Sequence, residues 1–175
     1  KKKYDFLVHK YNLDRIIGNG AAFFKLRPLN FPTIRLSQFA QLYATNNNLF
    51  QKLMSASVQE LYDCLQVNTS SYWESHFTFG KKSKSSKKKT SKKFIDLLII
   101  NTILPLKFCY FKYKGIPYNE DVLKTVVQIT SEDNNIIRKY KSLGVTVANA
   151  RDSQALLQLH NNYCMENKCL QCAIG

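Results

Sequence analysis

Apolar residues recur along this chain mostly at three- and four-residue intervals, the spacing of one helix face. In YDFLVHKYN, Tyr4, Leu7, Val8 and Tyr11 stand at i, i+3, i+4 and i+7, which predicts a short first helix. LDRIIGNGAAFFKLRPLNFPT then reads as an ordered loop, because Gly, Asn and Pro interrupt the pattern. Its Phe23, Phe24, Leu26 and Phe31 are expected to pack into the core. Pro32 suits a first helical turn, since the missing N–H has no partner there anyway. Ile34, Leu36, Phe39, Ala40, Leu42 and Tyr43 carry that helix to about Thr45, and NNN ends it. LFQKLMSA and SVQELYDCLQ predict two further short helices. Ser57 with Glu60 fits a capping box, in which a hydroxyl and a carboxylate three apart satisfy the first free amides.

SSYWESHFTFG is dense in aromatics and predicts an extended stretch. The segment from Phe94 to Lys112 is apolar nearly all round, the signature of a buried central helix. Pro105 is expected to kink or divide it. NEDVLKTVVQIT begins with an Asn and two acids, which suits a helix N-terminus. NNIIRKYKSLG ends on Gly144 behind basic residues, a helix stop. A last helix runs from about Asp152 with Ala155, Leu156 and Leu159 inward. Strand alternation and internal repeats are absent. The expected fold is all-α: one domain over residues 1–175, an irregular multi-helix bundle with a central buried helix and a long basic loop at 81–93.

Charge changes this picture. The chain of 175 residues carries a net +14. KKSKSSKKKTSKK, residues 81–93, supplies eight lysines: Lys81, Lys82, Lys84, Lys87, Lys88, Lys89, Lys92 and Lys93. Phosphate backbones are the default partner of such a run. The competing reading is a solvated, mobile connector. Basic and aromatic residues also interleave in FFKLRPLNFPTIRL and YWESHFTFGKK, where Arg27 and Arg35 add candidate phosphate contacts and the rings could stack on bases. Alternatively Phe23, Phe24, Phe31, Trp73, Phe77 and Phe79 are core residues, and the two arginines pair locally.

The tail carries the other candidate chemistry. Cys164, Cys169 and Cys172 fall within nine residues, four positions behind His160. His160 and Cys164 at i and i+4 share a helix face. Cys169 and Cys172 form a Cys-x2-Cys knuckle, so the four together match the ligand number and type of tetrahedral zinc. Three readings stand: a zinc or similar site, free thiols or a tail disulfide, and an iron–sulfur cluster with one further ligand. In each, the three cysteines are expected to converge.

Several classes are excluded or disfavoured. The odd, partly clustered set of five cysteines argues against a secreted disulfide framework and for the cytoplasm. Asp96, Asn101, Pro105 and Lys107 interrupt the most apolar stretch, so no membrane is expected. The chain opens without Met or an apolar leader, as part of a longer protein would. GNG lacks the rest of any phosphate-loop or dinucleotide pattern. His9, His76 and His160 lie far apart among only twelve acids, so no active site is expected wholly within the chain.

RPLNFPTIRLSQFAQL, YWESHFTFGKKSK, FIDLLIINTILPLKF and DSQALLQLHNNYCMENKCLQCAIG resemble the C-terminal part of the bacterial domain-of-unknown-function family 2851. That resemblance implies a helical C-terminal region of a longer protein whose absent N-terminal part is similar to restriction-endonuclease-like folds. It supplies no function. The tail also resembles the cysteine-rich end of helical DNA glycosylases, with the fourth cysteine missing and the first spacing wider. The leading expectation is a nucleic-acid-binding helical module of a nuclease-like or DNA-processing protein. The alternative is a structural or protein-interaction domain without catalysis, and a hydrolase using Glu74 and His76 ranks last.

Overall fold

Helix starts follow the capping chemistry. Ser57 and Glu60 form the full capping box, with the Glu60 carboxylate accepting from the Ser57 amide at 2.7 Å. That backbone bond first, and the Ser57 hydroxyl donating to the same carboxylate, hold the Glu60 carboxyl below its ordinary range. Asn134 and Asn149 cap two later helices by accepting from amides three residues on. The computed structural model describes residues 2–14, 21–117 and 119–174. It is mostly helical. In chain order the helices are α1 (Lys2–Lys10), α2 (Pro32–Thr45), α3 (Leu49–Ser55), α4 (Val58–Leu65), α5 (Ser71–Glu74), α6 (Lys92–Leu98), α7 (Leu104–Tyr113), α8 (Asn119–Val126), α9 (Asn135–Ser142) and α10 (Ala150–Leu159). The small antiparallel hairpin β1 (His76–Thr78) and β2 (Lys81–Lys82) follows α5.

The core is built from α3, α4 and the long helix containing α6 and α7. Leu49, Leu53, Met54, Leu61 and Leu65 pack with Ile95, Ile99, Ile100, Ile103 and Leu104, and Ile129 and Ala150 close the cluster. An isolated bridge between Thr130 and Asn149 brings the last two together, the Ala150 amide donating to Ile129 O at 2.9 Å.

The central helix is as expected in place but not in detail. Its buried positions are Ile95, Asp96, Ile99, Ile100, Ile103, Leu104 and Lys107, a repeat of four residues. A regular α-helix turns every 3.6 residues, so three such steps would drift off the core by about 120°. A π-helical segment, Ile99–Ile103, inserts one extra residue and absorbs about 100° of that drift. The expected break at Pro105 is therefore a change of hydrogen bonding in the turn before it, and the helix runs on to Tyr113. Proline tolerates the start of α7 because its missing N–H and ring meet that altered turn.

The polar residues of this helix are engaged within the fold. Tyr62 and Lys92 both hydrogen-bond the buried Asp96 carboxylate. Burial opposes the Lys92 charge, but its hydrogen bonds to Tyr62 and Asp96 outweigh that and raise its pKa. Burial, helped by the Asp96 hydrogen bond, raises Tyr62. Lys107 is buried and donates to Ala56 O at 2.6 Å, and burial lowers its pKa against the opposing charge of Glu60. The interruptions read from the sequence do not by themselves exclude a bilayer: by length and composition alone, Lys92–Tyr113 is apolar enough to cross one. In this fold its Ile95–Ile103 face lines the core instead.

Other expectations are corrected. On α2 the buried stripe is Ile34 and Gln38, while Leu36, Phe39 and Tyr43 are exposed. Phe24 and Leu26 are exposed and Phe31 is half-buried, so the loop ahead of α2 lends the core little. On α10, Ala150 and Ser153 are buried and Ala155 is exposed, because Asn149 starts the helix earlier than Asp152. The Gly144 stop after α9 stands, with a φ of 88° that a side chain would strain.

Candidate nucleic-acid interface

The stretch SSYWESHFTFGKK is not simply extended. One turn of helix (α5) leads into the hairpin, which reverses at Phe79–Gly80, where Gly80 has a φ of 73°. His76 pairs with Lys82 and Thr78 with Lys81. Trp73 on α5 is buried, while Phe79 at the projecting hairpin turn is 76% exposed. Tyr72 stacks on His76 with ring centroids 4.1 Å apart and planes within 5°. The Tyr72 hydroxyl accepts from the Gly80 amide at 3.3 Å, which ties this ring to the turn. His76 Nδ1 donates to Tyr72 O at 2.8 Å, so the imidazole braces the stack.

The lysine segment is the largest departure from expectation. It is not a solvated, mobile connector, because its backbone is fastened at both ends. The Ser83 and Ser86 amides donate to Ser75 O and Glu74 O, and the Thr90 amide donates to Val67 O while the Val67 amide donates to the Thr90 hydroxyl. The Thr90 hydroxyl donates to Leu65 O at 2.7 Å. Lys88 is the internal anchor, 1% exposed. Its ammonium donates to Trp73 O at 2.5 Å and Glu74 O at 2.7 Å, two carbonyls at the end of α5, and lies 4.3 Å above the Phe77 ring. Gln38 on α2 donates to Lys88 O at 2.9 Å. Burial lowers the Lys88 pKa, and the Glu74 charge partly opposes this.

The predicted basic residues therefore separate into groups. Lys88 is withdrawn from any phosphate by burial, correcting its assignment to the surface. Lys92 pairs with Asp96 at 3.2 Å, and Lys93 with Asp133 at 3.6 Å. Arg35 is half-buried, stacked 3.5 Å from the Phe94 ring centroid and bonded to Gln38 and Asn30. Arg27 is exposed ahead of a short 3-10 turn, Pro28–Asn30. Lys81, Lys82, Lys84, Lys87 and Lys89 are exposed, with no acidic partner among the described residues. They leave the hairpin and its fastened continuation lined with uncompensated charge. Sequence reasoning left Phe79 open between the core and base stacking and did not single out Tyr72; the signal for Phe79 was the Phe79–Gly80 turn, which carries its ring outward.

The tail does not form the expected cluster. After α10 the helix continues as a π turn, His160–Cys164, then reverses through Asn167, whose φ is 53°, into a 3-10 turn, Cys169–Gln171. All three cysteines are free, and Cys164 and Cys169 are exposed. Cys164 Sγ lies 3.8 Å from the Tyr140 hydroxyl. No group of three or more His, Cys, Asp or Glu side chains able to hold a metal occurs among the described residues. A short link limits how far apart the cysteine backbones can be but does not aim the sulfurs at one point. His160, Cys164, Cys169 and Cys172 are thus not gathered into one such group among the described residues.

Comparison with known proteins adds one relation. The profile of a family described as "Protein of unknown function (DUF2851)" matches residues 1–135. The match takes in the hairpin, the lysine segment and the central helix, and it stops short of the cysteine tail that the sequence phrases had included in the resemblance. No curated protein and no solved structure matches.

Proposed function

The chain belongs to the DUF2851 family, and since that membership carries no activity, we propose from the geometry that it is a nucleic-acid-binding module for single strands. One observation carries this reading: Lys81, Lys82, Lys84, Lys87 and Lys89 sit without an acidic partner among the described residues, on a fastened hairpin and coil beside the exposed rings of Tyr72 and Phe79. Lysines track a phosphate backbone, and exposed aromatic faces stack on unpaired bases. Holding both on an ordered backbone lowers the ordering cost of binding, which a floppy Lys/Ser tail would have to meet. The thiols and the likeness of several sequence phrases to the C-terminal part of bacterial members support a bacterial, cytoplasmic module of a longer DNA-processing protein. Catalysis forms no part of the reading.

The test is fluorescence anisotropy with a labelled single-stranded oligonucleotide across a salt series. Five phosphate contacts on a single strand predict a slope of log K against log salt of about −3.5. A duplex of equal length should bind less tightly, because its bases are stacked away from Tyr72 and Phe79. No binding at about 0.05 M salt, or an affinity that salt does not change, would remove the proposal.

A further inference from the structure

A cavity of about 470 Å³ lies between α2 and the start of the central helix, lined by Leu36, Phe39, Leu42, Leu65, Phe94 and Leu98 among others. That volume falls within the roughly 300–1,000 Å³ of ligand pockets. Its walls are almost wholly apolar, and its polar groups are engaged. Gln38 donates to Lys88 O and accepts from Arg35. Thr90 donates to Leu65 O. The exception is Arg35. Its guanidinium has five N–H donors, of which one goes to Gln38 and one to Asn30. It packs flat on Phe94 and has no carboxylate partner among the described residues. A half-buried cation at an apolar wall, with donors to spare and no anion of its own, is complementary to a molecule with one anionic end and an apolar body.

We infer that this cavity binds a free medium-chain fatty carboxylate, its chain along Leu36, Phe39, Leu42 and Leu98 and its head on Arg35. The orientation follows from chemistry alone: Arg35 is the single uncompensated charge on the lining, and nothing opposite it can hydrogen-bond a second polar end. Each further methylene buried against these residues should tighten binding by about threefold to fourfold until the cavity is filled. This site is separate from the lysine surface and does not depend on its function.

Isothermal titration of the whole chain with decanoate, decanol and decyltrimethylammonium, all below their micelle concentrations, tests it. One decanoate should bind per chain at least about tenfold tighter than decanol, the size of an added charge-assisted hydrogen bond, and the cationic amphiphile should not bind. Arg35→Leu should bring decanoate down to the level of decanol while leaving decanol unchanged. Leu36→Trp alters an exposed rim position, so the fold should persist while both ligands are blocked. Replacing the five exposed lysines should leave decanoate binding intact. Equal affinity for decanoate and decanol, no binding of either, or decanoate binding that follows the five lysines instead of Arg35 would each overturn the inference.

Discussion

Replacing Lys88 by alanine is expected to destabilise the protein by about 3 kcal/mol, whereas Lys89→Ala, one residue on, should change stability by no more than about 0.5 kcal/mol. The contrast follows from where the two ammonium groups sit. Lys88 closes the C-terminal end of α5 through Trp73 O and Glu74 O and covers the Phe77 ring. Alanine removes the side-chain donor from Trp73 O, leaves Glu74 O with the Ser86 amide alone, and opens a void over the Phe77 ring, and each of those losses is of kcal/mol size. Lys89 is exposed and touches nothing that a truncation would strand. Lys88→Met separates the two losses, since it keeps the volume and removes only the donors. The pH dependence has a definite sign. Burial lowers the folded-state pKa of Lys88, so the folded chain gives up this proton first. Stability from this group is therefore lowest below the folded pKa and rises with pH toward the ordinary lysine value of about 10.4. Urea denaturation of the variants at neutral and alkaline pH measures all of this; equal effects at the two lysines would mean that Lys88 does not anchor the segment.

The second large effect is on binding. Changing Lys81, Lys82, Lys84, Lys87 and Lys89 together to glutamine should lower affinity for a single-stranded oligonucleotide by about 10³-fold at 0.1 M salt. Each phosphate contact contributes roughly 0.7 of a decade under those conditions, and five contributions accumulate to about 3.5 decades. Melting temperature should hardly move, because these side chains are exposed and unpaired among the described residues. Circular dichroism and anisotropy on one preparation distinguish loss of the interface from loss of the fold. A variant that binds as well as the parent would show that the segment's charge is incidental.

Much of the helical frame was legible. Ser57 with Glu60, and Gly144, announce their termini because caps act through nearest neighbours, and a local signal survives whatever the tertiary contacts do. The face that each helix buries was less legible. Leu36, Phe39 and Tyr43 match helix periodicity as well as Ile34 does, yet α2 turns Gln38 inward because Arg35 and the Lys88 carbonyl satisfy its amide. A polar residue with two partners can displace an apolar one, and partners fifty residues away leave no mark on spacing. The lysine run misled for the same reason: composition reports eight equivalent charges, while the fold makes Lys88 part of the interior and pairs Lys92 and Lys93. In the tail, ligand spacing was right for zinc, but spacing fixes backbones and not sulfur directions. The four-residue repeat from Ile95 to Lys107 was in plain view and was passed over as a helix apolar on all sides.

That repeat makes the π turn the place where this helix stores a spare residue. Removing Asn101 or Thr102, which are exposed, would restore a regular helix and leave everything beyond it facing as it does now, because the turn already absorbs the roughly 100° that the extra residue would otherwise add. Loops between the other helices can gain a residue with little consequence, since a loop takes up the slack. Here the slack is angular and already taken up. A residue added in the same turn would swing Lys107 away from Ala56, and Leu104 from the core it now fills, by about 100°. A one-codon insertion in this turn should therefore be far more harmful than a one-codon deletion at position 101 or 102.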